Sequence, residues 1–331
     1  MAQNRVSETE LVDWLLEPNN PSVRFWALQD LKGRGLSDPE VSRAQDDVMK
    51  SPQVKAILDE QDPEGYWGDP RNMYLPKYTA TTHSLLILAE LGAKRTPAIE
   101  RGIEHMFLYQ RDSGHFFIDL LATEKGRASA VKDGCCLDGN ILYYLVHFGY
   151  LDDPRIRKLL GFIVDYHSAD VAGWKCRSYP INPDGVFPVN CYMGAAKVLR
   201  ALSTIPPGGR GGEIGAVIGR EVENILENGV YRYLRNPDGS RKEKAGWKRF
   251  GFPLFYQSDV LEVLDTLTRL GVRDERMRDA VGLVLKARKP DGRWLLENTF
   301  NGKMWVDIEK KGKPSKWITL RALQTLRRLR G

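Results

Sequence analysis

The sequence is poor in cysteine. Cys135, Cys136, Cys176 and Cys191 are the four thiol-bearing residues in 331, two of them adjacent, and such a set makes no disulfide framework of the kind that staples small secreted domains. All four are expected as thiols. Long apolar runs are also lacking. Nothing near the N-terminus has the length of a signal segment, and no stretch approaches the roughly 20 apolar residues that a membrane-spanning helix needs; a cytoplasmic protein without a membrane span is the expectation. A third absence is that of a disorder-prone composition, because 42% of the residues are apolar and 28% charged, enough for a core and an ordinary soluble surface.

What is present is an uneven excess of base. The formal charge is +6, and much of it lies in "RYLRNPDGSRKEKAGWKR", "LKARKPDGRW" and "DIEKKGKPSKW". Runs of this kind attract phosphate on nucleic acid, a membrane surface or a small anion. Lys242, Lys244, Lys248, Arg249, Lys310, Lys311 and Lys313, with Trp247 and Trp305 between them, would supply such contacts and stacking. Glu243 and Glu309 dilute the signal, so these segments read first as solvated loops, and nucleic acid is not the expected partner.

The chain carries an internal repeat. Six apolar segments, "FWALQDLKGRG", "THSLLILAELGA", "NILYYLVHFGYL", "GAAKVLRALS", "VLEVLDTLTRLGV" and "ITLRALQTLRRLRG", place Leu, Ile, Val or Ala at i, i+3, i+4 and i+7, a helical period, and often end on a glycine. They recur about every 60 residues. More mixed helical segments alternate with them, and most of these are followed by a turn with an aromatic ring: "QDPEGYWGDP", "QRDSGHFF", "SADVAGWKC" and "RKPDGRWLL". Asp, Pro and Gly make the turn, and the ring packs back on helix ends. Six helix pairs stack as an open solenoid or close into a ring; the even spacing and the aromatic turns favour closure. The predicted fold is all-α, an (α/α)6 toroid of about twelve helices around a central cavity, occupying residues 1–331 as one domain, with an N-terminal arm over 1–20 and longer loops over 204–213 and 232–250.

Gln61, Gly65 and Trp67 in "QDPEGYWG" resemble the QxxxGxW repeat of squalene and hopene cyclases, and over residues 20–331 the chain is similar to the α/α toroids of terpenoid cyclases and protein prenyltransferase β subunits. That resemblance implies an inner ring made by the apolar helices, with the N-terminal ends of those helices lining the mouth of the cavity. Tyr78, His83, Asp133, Cys135, Asp138, Asn140, Asn190, Cys191, Tyr192, Tyr256, Gln257, Asp259, Trp317 and Arg321 then converge. Each has a plainer reading. Asp133 precedes a helix and suits an N-cap, His83 among apolar residues suits a bonded core histidine, and the cysteines suit small hydrophobes. Asp138 and Asp259 resist it, since a carboxylate inside the first turns of an apolar helix needs a partner or a raised pKa.

Three chemistries compete. The cyclase resemblance implies a DxDD or DDxxD acid motif, and neither occurs. The prenyltransferase resemblance implies a zinc held by Asp and Cys of a DGC sequence and by a His; Asp133 and Cys135 match, but Val189 stands at the His position, so that Cys191 or His83 would have to replace it, and a helical partner subunit is implied as well. The third is a glycosidase-type hydrolase acting on a small polar substrate without a cofactor. Asp138 and Asp259 would be its paired carboxylates, His83 would assist, and Trp67, Tyr78, Asn140, Asn190, Tyr192, Tyr256, Gln257, Trp317 and Arg321 would bind substrate. The absent cyclase motifs and the two buried acids make this the leading expectation, ahead of a zinc-dependent or cyclase-like enzyme and of a non-catalytic binder of an anionic ligand.

Overall fold

The computed structural model describes residues 6–120, 134–167, 173–174, 191–234, 241–244 and 246–331. Among them the helices fall into an outer and an inner set that alternate along the chain. The outer set is α1 (Glu8–Leu15), α3 (Pro39–Lys50) with its continuation α4 (Pro52–Leu58), α6 (Pro97–Phe107), α8 (Pro154–Asp165), α10 (Gly212–Glu227) and α12 (Arg278–Ala287). The inner set is α2 (Pro21–Asp30), α5 (Thr81–Glu90), α7 (Cys135–His147), α9 (Tyr192–Thr204), α11 (Val260–Arg269) and α13 (Lys316–Arg330). The outer helices are amphipathic and bury one stripe; α6, for example, buries Ile99, Gly102, Ile103 and Met106. Inner helices are buried on nearly every side, and all ten residues of α5 are inaccessible. A helix hydrophobic all round belongs inside.

The sequence dictates both the helix starts and the turns. Asn20, Asp38, Thr96, Asp153, Asp259 and Ser315 each cap the helix that follows through a side-chain oxygen, an effect worth about 1 kcal/mol apiece. In the repeated turn, Gln61 Nε2 donates to its own turn at Gly65 O (2.9 Å) and to Ala98 O at the start of the next outer helix (2.8 Å). Gln110 repeats this with Gly114 O (2.9 Å) and Arg155 O (2.8 Å). The tryptophan indoles of Trp67, Trp174 and Trp294 reach back to Ile57 O, Ile163 O and Val284 O on the preceding outer helix at 2.7, 2.8 and 2.7 Å. Gly114 must be glycine twice over: its φ is +93°, and a Cβ there would sit 2.1 Å from Lys158 O. One short motif therefore ends an outer helix, anchors the next and sets the repeat spacing.

The ring closes. Lys316 on α13 bonds Glu17 (2.8 Å) and Asn19 (2.6 Å), Gln324 bonds Asp30 (2.7 Å), and Arg327 bonds both Glu8 (2.5 Å) and Leu31 O (2.7 Å). On the other side of α2, Trp26 Nε1 donates to Glu90 O at 2.9 Å, joining it to α5. The architecture is thus the expected all-α (α/α)6 toroid. Two local expectations change. The segment predicted as an arm over residues 1–20 contains α1, whose Leu11, Val12 and Leu15 are buried. The long loop predicted over 232–250 holds a two-stranded antiparallel hairpin, β1 (Arg232–Leu234) with β2 (Arg241–Glu243). The other predicted loop, 204–213, carries a single 3-10 turn over Pro207–Gly209.

Candidate functional site

The inner helices share a charged cross-section. On α9, Lys197 and Arg200 stand one turn apart inside an otherwise apolar helix, and α11 answers with Glu262 and Asp265. Lys197 Nζ contacts both Glu262 oxygens at 2.8 Å with its side chain wholly inaccessible. Arg200 bonds Glu90 of α5 at 2.5 Å and lies 3.8 Å over the Tyr143 ring of α7. Asp265 takes Arg269 (3.0 Å) and Arg328 (2.6 Å), and Arg269 also reaches Asp30 of α2 at 3.0 Å. Buried pairs of this kind rarely add net stability over apolar packing. They are spread over α2, α5, α9, α11 and α13 and surround a common space.

That space is a cavity of about 330 Å³. Its wall is drawn from Trp26 and Asp30 of α2, Glu90 of α5, Tyr143, Val146 and His147 of α7, Arg200, Ser203 and Thr204 of α9, Asp265 and Arg269 of α11, and Trp317, Leu320, Arg321 and Gln324 of α13. These are the C-terminal halves of the inner helices, apart from α13, which contributes its first turns. The electrostatics follow from burial set against pairing. Burial disfavours an ionised Asp265, but Arg269 and Arg328 outweigh it and hold the carboxyl below its ordinary range. Burial pushes the Tyr143 hydroxyl up to about 12, with Glu90 adding to the rise, so the phenol stays neutral. His147 is lowered by burial and stays neutral near pH 7, with Nε2 3.0 Å from Ala93 O.

The N-terminal ends of the same helices hold a different construction. Tyr78 stacks on Phe300 (ring centroids 4.5 Å apart), and Phe255 packs against Tyr78 (5.0 Å), His83 (5.2 Å) and Phe300 (5.1 Å). Trp305 donates to Thr79 O (3.0 Å) and Ser84 Oγ (3.1 Å), and Asn140 Nδ2 to Phe255 O (3.1 Å), pinning the loops that precede α11 and α13 onto α5 and α7. Phe252 and Trp317 stack at 4.0 Å, with their planes 9° apart, between this plug and the cavity. Tyr78 holds a left-handed backbone (φ +74°), a conformation uncommon for a non-glycine residue.

The sequence-predicted residues therefore divide. Trp317 and Arg321 line the cavity. Tyr78 and His83 belong to the aromatic plug, and burial takes the His83 pKa down to about 3, with Lys77 adding to the effect, so that it stays neutral. Trp67 is a buried turn residue, Asn140 pins a loop, and Tyr192 donates to Val230 O at 2.9 Å. Tyr256 lies beside Lys77, whose Nζ is 5.6 Å from its ring centroid, and Gln257 is partly buried in the loop before α11. Cys191 caps α9 through its sulfur, 3.4 Å from Gly194 N, and Cys135 opens α7 in a buried position. Asp133, Asn190 and Cys176 lie outside the described residues; among those described, no group of three His, Cys, Asp or Glu side chains is placed to hold a metal ion. Of the basic stretches, Trp247 is buried against Tyr192 and Lys248 pairs with Glu243 at 2.5 Å.

The hydrolase expectation is corrected. Asp138 accepts from Phe116 N (3.1 Å) and lies 2.9 Å from His115 Nδ1. Phe116 occupies the aromatic turn, and Asp138 does there what Thr81 does for Trp67 N (3.0 Å) and Thr319 for Trp294 N (3.1 Å). It is the acidic version of a repeat position. Asp259 caps α11 with one oxygen on Glu262 N (2.8 Å), and the other takes Gly251 N (2.9 Å). Burial raises its pKa to about 6 against the pull of Arg321. Neither carboxylate lines the cavity described above.

No family model and no curated protein matches the sequence. Solved structures do resemble it in fold. A variant of the type II terpene cyclase MstE from Scytonema, in complex with geranylgeranyl dihydroxybenzoate as substrate, is 13% identical with TM-score 0.46, over 97% of this chain and 99% of that one. The same cyclase in its apo form is 14% identical with TM-score 0.43, over 95% and 97%. A protein from Actinoplanes is 14% identical with TM-score 0.44, over 94% and 90%. The activity stated among these is terpene cyclisation, not glycoside hydrolysis. At such identities and scores they are likenesses of fold, and no residue role is carried across. Among the described residues no helix is long and apolar enough to cross a membrane.

Proposed function

We propose that this chain is a terpenoid cyclase-like enzyme that takes a small organic substrate into the cavity at the C-terminal half of its inner ring. The observation that carries the reading is the composition of that wall. Trp26, Tyr143 and Trp317 line one pocket with Asp30, Glu90 and Asp265. Aromatic faces attract a passing cation by roughly 0.5–2 kcal/mol, and carboxylates fixed by guanidinium partners act as dipoles already oriented for developing charge. The cavity volume, about 330 Å³, falls at the small end of ligand sites, which run from about 300 to 1,000 Å³, and calls for a compact substrate. The QxxxGxW repeat supplies the substrate class to try first, a short isoprenoid.

The test is incubation of the purified chain with isoprenoid alcohols, acids and diphosphates of increasing length, followed by gas chromatography and mass spectrometry. A cyclised product that disappears with Trp317→Ala and with Val146→Trp, which fills the cavity, is the expected result. Absence of any conversion across the series, or a product indifferent to both substitutions, contradicts the reading.

A further inference from the structure

The ion pairs around the cavity leave one guanidinium only loosely paired. Glu262 is held by Lys197, Glu90 by Arg200, and Asp30 and Asp265 are shared by Arg269 and Arg328. Arg321 lines the same cavity with its side chain 13% exposed, and its nearest carboxylate oxygen, Glu90 Oε2, is 3.7 Å away on a group already bonded to Arg200. It makes no side-chain hydrogen bond among the described residues. Asp259 feels the pull of Arg321 but has both oxygens committed to backbone amides. Two further donors stand unused on the wall: Trp317 Nε1 and Arg200 Nη1 are buried without a hydrogen-bond acceptor, the latter 3.5 Å from Glu262 Oε1 but not aligned with it. A buried donor left unsatisfied costs about 1–3 kcal/mol; those two have no accessible surface, whereas the Arg321 guanidinium faces the cavity and can meet an acceptor there.

We infer that the cavity binds a monoanionic organic acid, its carboxylate clasped by the Arg321 guanidinium. The guanidinium fork matches a planar carboxylate through two parallel N–H···O bonds. A single guanidinium fork suits a planar carboxylate better than a phosphate dianion. Trp26 and Trp317 offer apolar surface to the rest of the molecule. The inference rests on the cavity being the ligand site, as proposed above, and it adds the head group that this site recognises.

Isothermal titration of the full chain with benzoate, its neutral isostere benzamide and inorganic phosphate tests it. Saturable benzoate binding is expected, with benzamide weaker by roughly 10- to 100-fold, the range that charge-assisted hydrogen bonds span. Arg321→Gln should weaken benzoate by a similar factor and leave benzamide unchanged; Arg321→Lys, which keeps the charge and loses the fork, should fall between. No benzoate binding at millimolar concentrations, equal affinities for benzoate and benzamide, or phosphate binding more tightly than benzoate overturns the inference. Val146→Trp separates the two claims. If benzoate and benzamide bind equally and both are lost in that variant, the cavity stands and the anion does not; if benzoate binding survives it, the cavity is not the site.

Discussion

The two ends of the inner ring are built from the same six helices and in opposite chemistry. At the N-terminal end, rings close on rings: Tyr78, Phe255, Phe300 and a neutral His83 pack under loops pinned by Trp305 and Asn140. At the C-terminal half the same helices present guanidiniums and carboxylates around a pocket. A plug needs only apolar burial, which is non-directional and tolerates its neighbours. A charged wall is expensive to bury and survives where each charge has a partner or a use. Among the described residues, one end of the ring thus carries an aromatic cluster and the other a charged wall.

Substitutions at each end should break this contrast in different ways. The largest effect is expected at the ionic core. Glu262→Leu strands the inaccessible Lys197 ammonium and should lower stability by about 3–5 kcal/mol in urea unfolding, whereas Glu262→Leu combined with Lys197→Met should recover most of the loss. At the plug, Phe255→Ala should cost about 3–5 kcal/mol through the cavity it leaves, with no partner substitution able to restore it by charge. Between them, Gly139→Ala should cost about 1–3 kcal/mol, because its Cβ would meet the Lys197 and Val198 backbone at 2.6 Å and force α7 from α9.

The plug also carries a pH signature. His83 is depressed to about 3 from an ordinary 6.5, so the unfolded chain takes up a proton that the folded chain refuses. The stabilisation is complete above pH 6.5 and is lost as pH falls from there towards about 3, at up to about 1.4 kcal/mol per pH unit. Unfolding midpoints measured across that window should slope steeply in the native sequence and flatten in His83→Leu. The smallest stability effect belongs to Arg321→Gln. The change removes a long pair with Glu90 and a pull on Asp259 but no hydrogen bond, and should cost about 1 kcal/mol, even as anion binding collapses.

Most of the fold was legible because what sets it is local. The helix period, the caps and the Gln61 to Gly65 bond lie within a few residues of each other, and the repeat multiplied the signal. The site was harder because its bonds are long-range: Glu90 with Arg200 and Lys197 with Glu262 span 110 and 65 residues. The charges themselves were in view, as Lys197 and Arg200 in "GAAKVLRALS" and Glu262 and Asp265 in "VLEVLDTLTRLGV", each one turn apart on an apolar helix. What sequence could not supply was their mutual pairing, and hence which end of the ring they equip. The structural role of Asp138 was hidden for a related reason. A carboxylate in an apolar helix reads as catalytic until Thr81 and Thr319 reveal the same position doing the same structural task.

The most direct test of the contrast places one bulky or one truncating change at each end and measures benzoate binding by titration in folded protein. The account predicts that Val146→Trp at the C-terminal wall abolishes binding, while Phe300→Leu in the plug leaves the affinity within about two-fold, a difference under 1 kcal/mol. Binding that survives Val146→Trp and is lost in Phe300→Leu would contradict it, and would move the site to the other end of the ring.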